Sequence, residues 1–293
     1  MHASKYPITK IHVWGGFGSQ LFGVYTYLLL RKRNSKRNYR LVFHSSGVTS
    51  RSPEIHLLNR NLPIIFVDDF SVSNATHKLG SSRPIIFKLS RIPKKILSLL
   101  GFVDSLDSPG GNPKTKLRTV QFRGHYTYFA LEPDLLKELI LLSDESGSPI
   151  FAFDEPFLEN QIGIHFRLGD LLNLESKNYL NPERISVLIE AQLSEPDSEV
   201  VVYTDSLEEF YGLVRDELKI ENVSAFSSDP IITIQALVRS RIFIGTTSKI
   251  SVWICIFRCL TMAGGISYMP IEMKKSLDTQ LRNLDSSGVH YYS

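Results

Sequence analysis

The sequence predicts an α/β fold with mostly parallel sheets in two halves, and three observations support this prediction. Short apolar segments rich in β-branched residues alternate along the chain with longer segments of helical pattern. Several of the short segments end in glycine, hydroxyl or charged residues, as strands do where parallel sheets bind ligands. A chain of 293 residues is long enough for two domains of ordinary size.

The first half opens with the clearest strand, turn and helix of the chain. Residues 8–14 are β-branched and aromatic, glycines follow, and residues 20–30 form a long apolar segment. The cations in residues 31–40 suit a helix carboxyl terminus. Further strands are predicted at residues 41–44, 62–67 and 119–122, a loop at residues 104–116 and a helix at residues 133–142.

The second half repeats this alternation after a polar break at residues 143–149. We therefore expect an N-terminal domain of residues 1–150 and a C-terminal domain of residues 151–293. Strands separated by helices imply parallel pairing, which places the strand carboxyl ends at one edge of each sheet. Strands are predicted at residues 161–166, 199–204 and 241–245, and helices at residues 182–193, 206–218, 231–240 and 248–260.

The composition excludes several classes of protein. Hydrophobic residues make up 43% and charged residues 22% of the chain, which argues against a disordered, collagen-like or disulfide-rich protein. A net charge of only +3 argues against a nucleic-acid partner. Because the sequence shows neither a secretory signal nor a membrane-spanning apolar run, we expect a cytoplasmic enzyme. Cys255 and Cys259 lie in an apolar segment and are expected in the core.

The first candidate site is the glycine turn after the first strand. Gly15, Gly16 and Gly18 let the backbone approach a ligand closely, and Gln20 begins a helix whose free N–H groups suit an anion or a sugar. A turn that only needs positive φ explains these glycines equally well. The pattern is not a dinucleotide fingerprint, because Leu21 stands where the third glycine would be.

The second candidate site ends the predicted strand at residues 161–166. Side chains alternate along a strand, so His165 and Arg167 point to one face, where a guanidinium can bind a phosphate. Asp170 follows as a candidate catalytic carboxylate. The alternatives are a buried structural histidine at position 165 and, for Asp170, a helix cap or a partner of Arg167.

Two further strand ends carry polar side chains. Asp205 either caps the next helix or accepts hydrogen bonds from a ribose or a guanine edge. Hydroxyl groups and a cation cluster where the last predicted helix begins, which suits an anion, although ordinary capping explains one hydroxyl. They belong to Thr247, Ser248, Lys249 and Ser251.

These segments resemble, in order and spacing, the motifs of the bacterial alpha-1,2-fucosyltransferase family. Its opening motif, Gly-Gly-Leu-Gly-Asn-Gln-Met/Leu-Phe, is similar to residues 15–22, and its His-x-Arg-Arg-Gly-Asp motif is similar to residues 165–170. Its Phe-Ser-Asp-Asp and Asn-Ser-Ser-Phe-Ser-Trp-Trp motifs are similar to residues 203–206 and 247–253. The sequence departs from the family at Leu168, which replaces the second arginine, and at Ser19, Thr127 and Lys249.

The resemblance implies a divergent fucosyltransferase of the GT-B type. That type has two Rossmann-like domains whose mostly parallel sheets face each other across a cleft. The implied reaction is an inverting, metal-independent transfer of L-fucose from GDP-fucose to a galactose-type hydroxyl in alpha-1,2 linkage. No cofactor is expected, and the acceptor would be an oligosaccharide or a lipid-linked glycan.

The resemblance also implies roles for the candidate residues. Arg167 would hold the β-phosphate of the donor, and His165 and Asp205 would contact its nucleoside. Asp170 is eligible as a general base, and a structural role explains it equally well. The remaining donor contacts would come from Gly15, Gly16, Gly18, Gln20, Thr247, Ser248, Lys249 and Ser251.

Alternatives to this function stay open. The departures at Leu168 and Lys249 also fit a transferase that uses another nucleotide sugar, or a catalytically silent protein that binds nucleotides or carbohydrates. The basic residues 31–40 and the mixed segment 85–102 would suit peripheral contact with an anionic membrane surface. A solvated helix end and a core helix lying at the surface explain the same two segments.

Overall fold

The chain folds into two compact units. One unit contains the chain up to Phe129 together with Lys137–Pro149, and the other contains Ala130–Leu136 together with Ile150–Ser293. The computed structural model describes residues 8–46, 50, 62–71, 96, 100, 102–105, 119–124, 126–127, 129–142, 151, 153, 156–169, 182–193, 198–220, 222–261 and 265–293.

Strands and helices alternate through both units, as the sequence predicts. The strands are β1 Thr9–Trp14, β2 Tyr39–His44, β3 Ile64–Val67, β4 Val103–Ser105, β5 Gln121–Arg123, β6 Leu158–Phe166, β7 Glu199–Thr204, β8 Val223–Ser227, β9 Ser240–Ile244, β10 Ile266–Pro270 and β11 Val289–Tyr292. The helices that lie within the described residues are α1 Phe17–Arg33, α2 Pro133–Ile140, α3 Pro182–Gln192, α4 Leu207–Glu209, α5 Pro230–Val238, α6 Lys249–Thr261 and α7 Lys274–Gln280. A π-helical segment, Phe210–Val214, continues α4, and 3-10 turns at Ile271–Met273 and Leu281–Asn283 flank α7.

The N-terminal sheet is parallel, with the strand order β3-β2-β1-β5-β4. Helix α1 follows β1 and is buried on nearly all sides, because its sequence is mostly apolar from Phe17 to Leu30. Gly23 lets α1 lie close to β1, since a Cβ atom at that position would collide with Val13. The close packing of α1 on β1 fixes the turn that joins them.

The C-terminal sheet is also parallel, with the strand order β11-β10-β9-β6-β7-β8. Its central strands β9, β6 and β7 therefore end side by side at one edge. One face of β6 and β7 packs with α3 and the π-helical segment into an apolar core that includes Ile164, Phe166, Ile189, Val202 and Phe210. Strand alternation leaves His165 and Arg167 on the opposite face.

The α/β prediction with parallel sheets is confirmed, but several elements differ from the predicted ones. The predicted loop at residues 104–116 is wrong at its start, where Asp104 and Ser105 belong to β4. The helix predicted at residues 206–218 ends at Val214 and is mostly π-helical. The strands β8, β10 and β11 and the helix α7 were not predicted. Most of residues 85–102 and all of residues 143–149 lie outside the described part of the chain.

The basic segment at residues 31–40 is not uniformly a surface feature. Arg31 pairs with Glu138 at the surface. Arg37, in contrast, is buried and donates a hydrogen bond of 2.8 Å to the carbonyl of Thr119. Its charge is therefore used inside the N-terminal unit and does not add to a membrane-binding surface. No helix among the described residues is long and apolar enough to cross a membrane.

Candidate functional site

The candidate site lies at the carboxyl edge of the C-terminal sheet. The strand β6 ends at Phe166, directly after His165. The strand β7 ends at Thr204, and β9 ends just before Gly245. These strands are neighbours, so the structure brings together three of the segments that the sequence singles out. The edge of a parallel sheet where carboxyl ends meet is the usual place for a ligand in α/β folds.

His165 is a buried residue that joins β6 to the first turn of α6. Its Nδ1 atom lies 2.8 Å from the Oγ atom of Ser251. Burial, together with the charge of Arg167, lowers the pKa of His165 to about 3. The imidazole is therefore neutral at physiological pH, and it can contact a ligand only as a neutral hydrogen-bonding group.

Ser251 holds the loop before α6 in place. Its fully buried hydroxyl accepts a hydrogen bond of 3.1 Å from the Thr246 N–H in addition to its contact with His165. The Thr246 hydroxyl in turn donates to the carbonyl of His165 over 3.0 Å. The contacts that the structure gives Ser251 are thus internal, and its predicted contact with a phosphate stays a prediction.

The amino terminus of α6 faces the same edge. Ser248 is buried and caps the helix by accepting a hydrogen bond of 3.2 Å from the Ile250 N–H. Thr247 and Lys249 flank it and are half-buried. The partial positive charge of a helix amino terminus and the presence of a lysine make this terminus suitable for an anion.

Asp205 fixes the turn that follows β6. One of its carboxylate oxygens accepts hydrogen bonds from the Leu168 N–H at 2.7 Å and from the Gly169 N–H at 3.2 Å. The other oxygen lies 3.8 Å from Nε of Arg167. Gly169 permits this close contact, because a Cβ atom there would lie 3.0 Å from the carboxylate. Asp205 therefore positions the segment that carries Arg167.

The capping role that the sequence left open for Asp205 belongs to its neighbour. Ser206 is the residue before α4, and its side chain accepts a hydrogen bond from the Glu209 N–H. Asp205 is instead part of the site, with its side chain 40% exposed. Because a half-exposed carboxylate still has room for a ligand, its hydrogen bonds to the turn do not prevent contact with a nucleoside.

Leu168 occupies the position at which the fucosyltransferase motif that the sequence resembles has a second arginine. It is completely buried and belongs to the apolar core on the far face of β6. A guanidinium at this position would have to enter that core at a large desolvation cost. The side chain of Arg167 is 23% exposed and lies on the site face. The site therefore presents a single guanidinium from this segment.

The glycine turn lies in the N-terminal unit. Gly15 has a φ of +93°, so the structure gives this glycine the left-handed conformation that its sequence context allows. Gly16 has an ordinary φ and precedes α1, while Gly18 is buried within it. Gln20 is buried and donates a hydrogen bond of 3.2 Å to the carbonyl of Gly15. Their predicted contacts with the donor stay predictions.

Asp170, the candidate base, lies outside the described residues. Among the residues that the structure does describe, no three His, Cys, Asp or Glu side chains come together as a metal ion would require. The expectation that the reaction needs no metal stays a prediction. Cys255 is buried as expected, whereas Cys259 is only partly buried, and both are free thiols.

A polar cluster in the N-terminal unit was missed by the sequence reasoning. His44 ends β2, where its Nδ1 atom lies 2.9 Å from the Asp69 carboxylate and its Nε2 atom 2.8 Å from Nδ1 of His12. The ring of Trp14 stacks on His44 at a centroid distance of 4.5 Å. The available signal was that His44 ends one apolar strand and Asp69 closely follows the next.

Electrostatics within this cluster favour the ionised carboxylate. Partial burial on its own would raise the pKa of Asp69. Hydrogen bonds to His44 and from the Ser46 N–H outweigh burial, so the net pKa lies below its usual value. The cluster thus holds a carboxylate anion against the imidazole of His44.

Comparisons with known proteins establish the fold and not the family. No protein-family model and no curated protein sequence matches the chain. The structure of E. coli heptosyltransferase WaaC with ADP matches it at 10% sequence identity and a TM-score of 0.50, over 98% of this chain and 93% of that one. The fold is of the GT-B type.

Other matches to this GT-B fold are weaker. The UDP-GlcNAc 2-epimerase from Methanocaldococcus jannaschii matches at 10% identity and a TM-score of 0.48, over 97% of this chain and 89% of that one. POFUT1 in complex with GDP matches at 12% identity and a TM-score of 0.43, over 92% of this chain and 99% of that one. At such identities a match concerns the fold alone, so the activity has to be argued from the site.

Proposed function

We propose that the protein is an inverting glycosyltransferase that moves L-fucose from GDP-fucose to a galactose-type hydroxyl in alpha-1,2 linkage. The observation that carries the proposal is the arrangement at the edge of the C-terminal sheet. There Arg167, the Asp205 carboxylate and the amino terminus of α6 surround the neutral His165. This set suits a nucleoside diphosphate, with positive groups for the phosphates and a carboxylate for the nucleoside.

Arg167 is the group best suited to stabilise the departing diphosphate. His165 cannot supply charge, because its pKa of about 3 keeps it neutral. The guanidinium of Arg167 supplies a positive charge with several N–H donors and is held near the site by the turn that Asp205 fixes. The α6 amino terminus, with Ser248 and Lys249, would add N–H groups and a further positive charge.

The proposed reaction is a single displacement at the sugar. The acceptor oxygen bonds to C1 of fucose while the bond from C1 to the β-phosphate oxygen breaks, and the electron pair remains on the phosphate. GDP leaves with the charge that Arg167 neutralises, and the hydroxyl proton passes to water or to a carboxylate. Asp170 is the carboxylate that the sequence offers for this step.

A second candidate function is transfer of another sugar from another nucleotide. It is favoured by the burial of Leu168 where the family motif has its second arginine. The heptosyltransferase structure that shares this fold holds ADP, which suggests that the scaffold is compatible with bases other than guanine. Binding of GDP-, ADP- and UDP-sugars, measured side by side by calorimetry, separates the two candidates.

The experiment that tests the proposal combines product analysis with an arginine variant. Wild-type protein, GDP-fucose and a set of galactose-ended oligosaccharides are expected to give a fucosylated product by mass spectrometry. Arg167→Ala should abolish the product while its circular dichroism spectrum is unchanged, and Arg184→Ala, which alters an exposed arginine on α3, should leave the product yield unchanged. A folded Arg167→Ala protein with near-normal turnover would contradict the assignment.

A further inference from the structure

Two aromatic side chains lie beside the candidate site on the outer strands of the C-terminal sheet. Tyr203 on β7 is in register with His165 on β6, and Phe226 on β8 is in register with Tyr203. Residues in register on parallel strands share a face, so the three side chains form one row across the sheet. The rings of Tyr203 and Phe226 are 5.6 Å apart between centroids and are inclined by 31°.

This aromatic pair lies outside the apolar core. Phe226 is 48% exposed and Tyr203 is partly buried. The other face of the same two strands, in contrast, contributes to the core. The residues on that face are Val200 and Val202 of β7 and Val223 and Ala225 of β8. Phe226 thus packs against Tyr203 but leaves about half of its surface open on the face that bears His165, where a flat ligand could contact it.

The positions of the charged groups indicate how a ligand would be oriented along this row of side chains. The positive groups, Arg167 and the α6 amino terminus, lie at the ends of β6 and β9, whereas the Asp205 carboxylate lies at the end of β7. Phosphates would thus bind on the β6 and β9 side, and groups that donate hydrogen bonds would lie near Asp205. Phe226 lies two strands from His165, or about 10 Å at the usual strand spacing.

We propose that Tyr203 and Phe226 are the platform on which the base of the nucleotide donor stacks. This inference rests on the proposed function, since it assigns a further part of the same donor. A nucleobase is flat and has exposed π-faces, which suit the exposed ring of Phe226. Burial, together with the charge of Glu199, raises the pKa of Tyr203, so its ring stays neutral and can contact the flat base of a nucleotide.

The test compares two probes that share phosphates but differ in the base. Affinities of GDP and of inorganic pyrophosphate are measured by calorimetry for the wild type and the variants. Phe226→Ala should weaken GDP binding about tenfold, as expected for the loss of one base–aromatic stack, and leave pyrophosphate binding unchanged. Phe226→Tyr keeps an aromatic ring and should restore GDP affinity. Arg167→Ala should weaken the binding of both probes.

A matched control uses an exposed aromatic residue outside the row. Tyr211, in the π-helical segment next to Phe210, is 55% exposed, and Tyr211→Ala should change neither affinity. Equal GDP affinity for the wild type and Phe226→Ala would overturn the platform. So would a change of oligomeric state in Phe226→Ala by ultracentrifugation with GDP affinity unchanged, because the patch would then be an interface between copies.

The outcomes also separate this inference from the proposed function. If GDP binding depends on Phe226 but GDP-fucose gives no product with any acceptor, the platform stands and the proposed transfer fails. If product forms and Phe226→Ala binds GDP as tightly as the wild type does, the proposed transfer is supported and the proposed stacking of the base is wrong. A wild-type protein that binds neither GDP nor pyrophosphate would overturn both.

Discussion

The imidazole Nδ1 atom of His165 lies 2.8 Å from the hydroxyl of Ser251, and this contact joins the end of β6 to the first turn of α6. The same hydroxyl accepts the Thr246 N–H. Two segments that the sequence identified separately, at residues 165–170 and 247–253, are thus coupled through one buried serine. The position of the α6 amino terminus relative to Arg167 depends on that coupling.

Ser251→Ala should therefore loosen the loop before α6. The change leaves the buried Thr246 N–H and the His165 ring without their shared partner, which should lower the free energy of unfolding by about 1 to 2 kcal/mol. GDP affinity should fall as well, because the helix terminus is less firmly placed. Urea denaturation measures the change in the free energy of unfolding, and calorimetry measures the change in GDP affinity.

A hydroxyl at the other end of the same helix provides the control for Ser251. Thr261 donates a hydrogen bond of 2.8 Å to the carbonyl of Phe257, far along α6 from the site. Thr261→Ala should leave GDP affinity unchanged. Equal GDP affinities for the wild type and Ser251→Ala would show that the coupling through this serine has no part in ligand binding.

Burial of His165 predicts a loss of stability in acid. The folded-state pKa of about 3 lies below the ordinary value of 6.5, so between these pH values the unfolded chain binds a proton that the folded chain does not. The free energy of unfolding should fall as the pH drops from about 6.5 towards 3, by at most about 1.4 kcal/mol per pH unit from this one group.

The histidine variant His165→Gln tests this assignment. Glutamine cannot take up the proton, so the contribution of this residue to the acid slope should disappear from urea denaturation curves measured between pH 4 and 7. His290→Gln, which alters an exposed histidine on β11, should retain the slope of the wild type. An unchanged slope in His165→Gln would mean that another group causes the acid sensitivity.

The sequence pattern predicts most of the strands that carry the candidate site residues, but it misses three other strands of the C-terminal sheet. The sequence pattern predicted β1, β2, β6, β7 and β9 and the helices between them, because β-branched and aromatic residues are concentrated in each strand and turn or polar residues bound it. It missed β8, β10 and β11, in which serine, proline or histidine lies among the apolar residues; length alone does not explain this, because β9 also has five residues. Such short strands are defined by their neighbours in the sheet more than by their own residues.

The site was predicted as a set of residues and not as a set of contacts. Asp205 and the turn at Leu168 are 37 residues apart, and no local pattern indicates that one accepts a hydrogen bond from the other. Ser251 is predicted as a phosphate ligand because hydroxyls and a lysine cluster where α6 begins, and its hydrogen bonds to Thr246 and His165 could not be predicted from that cluster. Its burial depends on how closely α6 approaches His165, which is a property of tertiary packing.

Asp205→Asn should separate the two roles of this carboxylate. Asparagine keeps an oxygen that can accept the Leu168 and Gly169 N–H groups but loses the charge that faces Arg167, so the free energy of unfolding should fall by only about 1 kcal/mol. GDP affinity should nevertheless fall severalfold if the negative charge contacts the nucleoside. Thermal unfolding and calorimetry measure the two effects.

Asp229 offers a close match for this aspartate. It also accepts two backbone N–H groups with one oxygen, from Ile231 at 2.8 Å and Ile232 at 3.0 Å, but at the start of α5. Asp229→Asn should leave GDP affinity unchanged. A loss of affinity in this variant equal to that in Asp205→Asn would indicate a general electrostatic effect and not a contact.

Leu168→Arg should not add a second guanidinium to the site, although the fucosyltransferase motif that the sequence resembles has an arginine at this position. The side chain at this position is buried in the apolar core, so an arginine there should lower the free energy of unfolding by more than about 3 kcal/mol. Leu168→Met keeps the volume and should cost less than about 1.5 kcal/mol. A folded Leu168→Arg protein with higher GDP affinity, measured by calorimetry, would show that this side chain can reach the site.

Arg258 is expected to be the most sensitive position outside the site. It is buried on α6, and its guanidinium donates to the Ser267 hydroxyl and to the carbonyls of nearby strand and helix ends. Those carbonyls belong to Leu237, Val238, Ser240, Arg241 and Ile266. Burial lowers its pKa to about 10, which still leaves it charged.

Arg258→Lys should lower the free energy of unfolding by about 3 kcal/mol or more. An ammonium has three N–H donors where this guanidinium serves six acceptors, so several buried carbonyls would lose their partner. Arg282→Lys, at an exposed arginine after α7, should change the free energy by less than about 0.5 kcal/mol. Equal urea midpoints for the two variants would mean that lysine and water satisfy these carbonyls as well as arginine does.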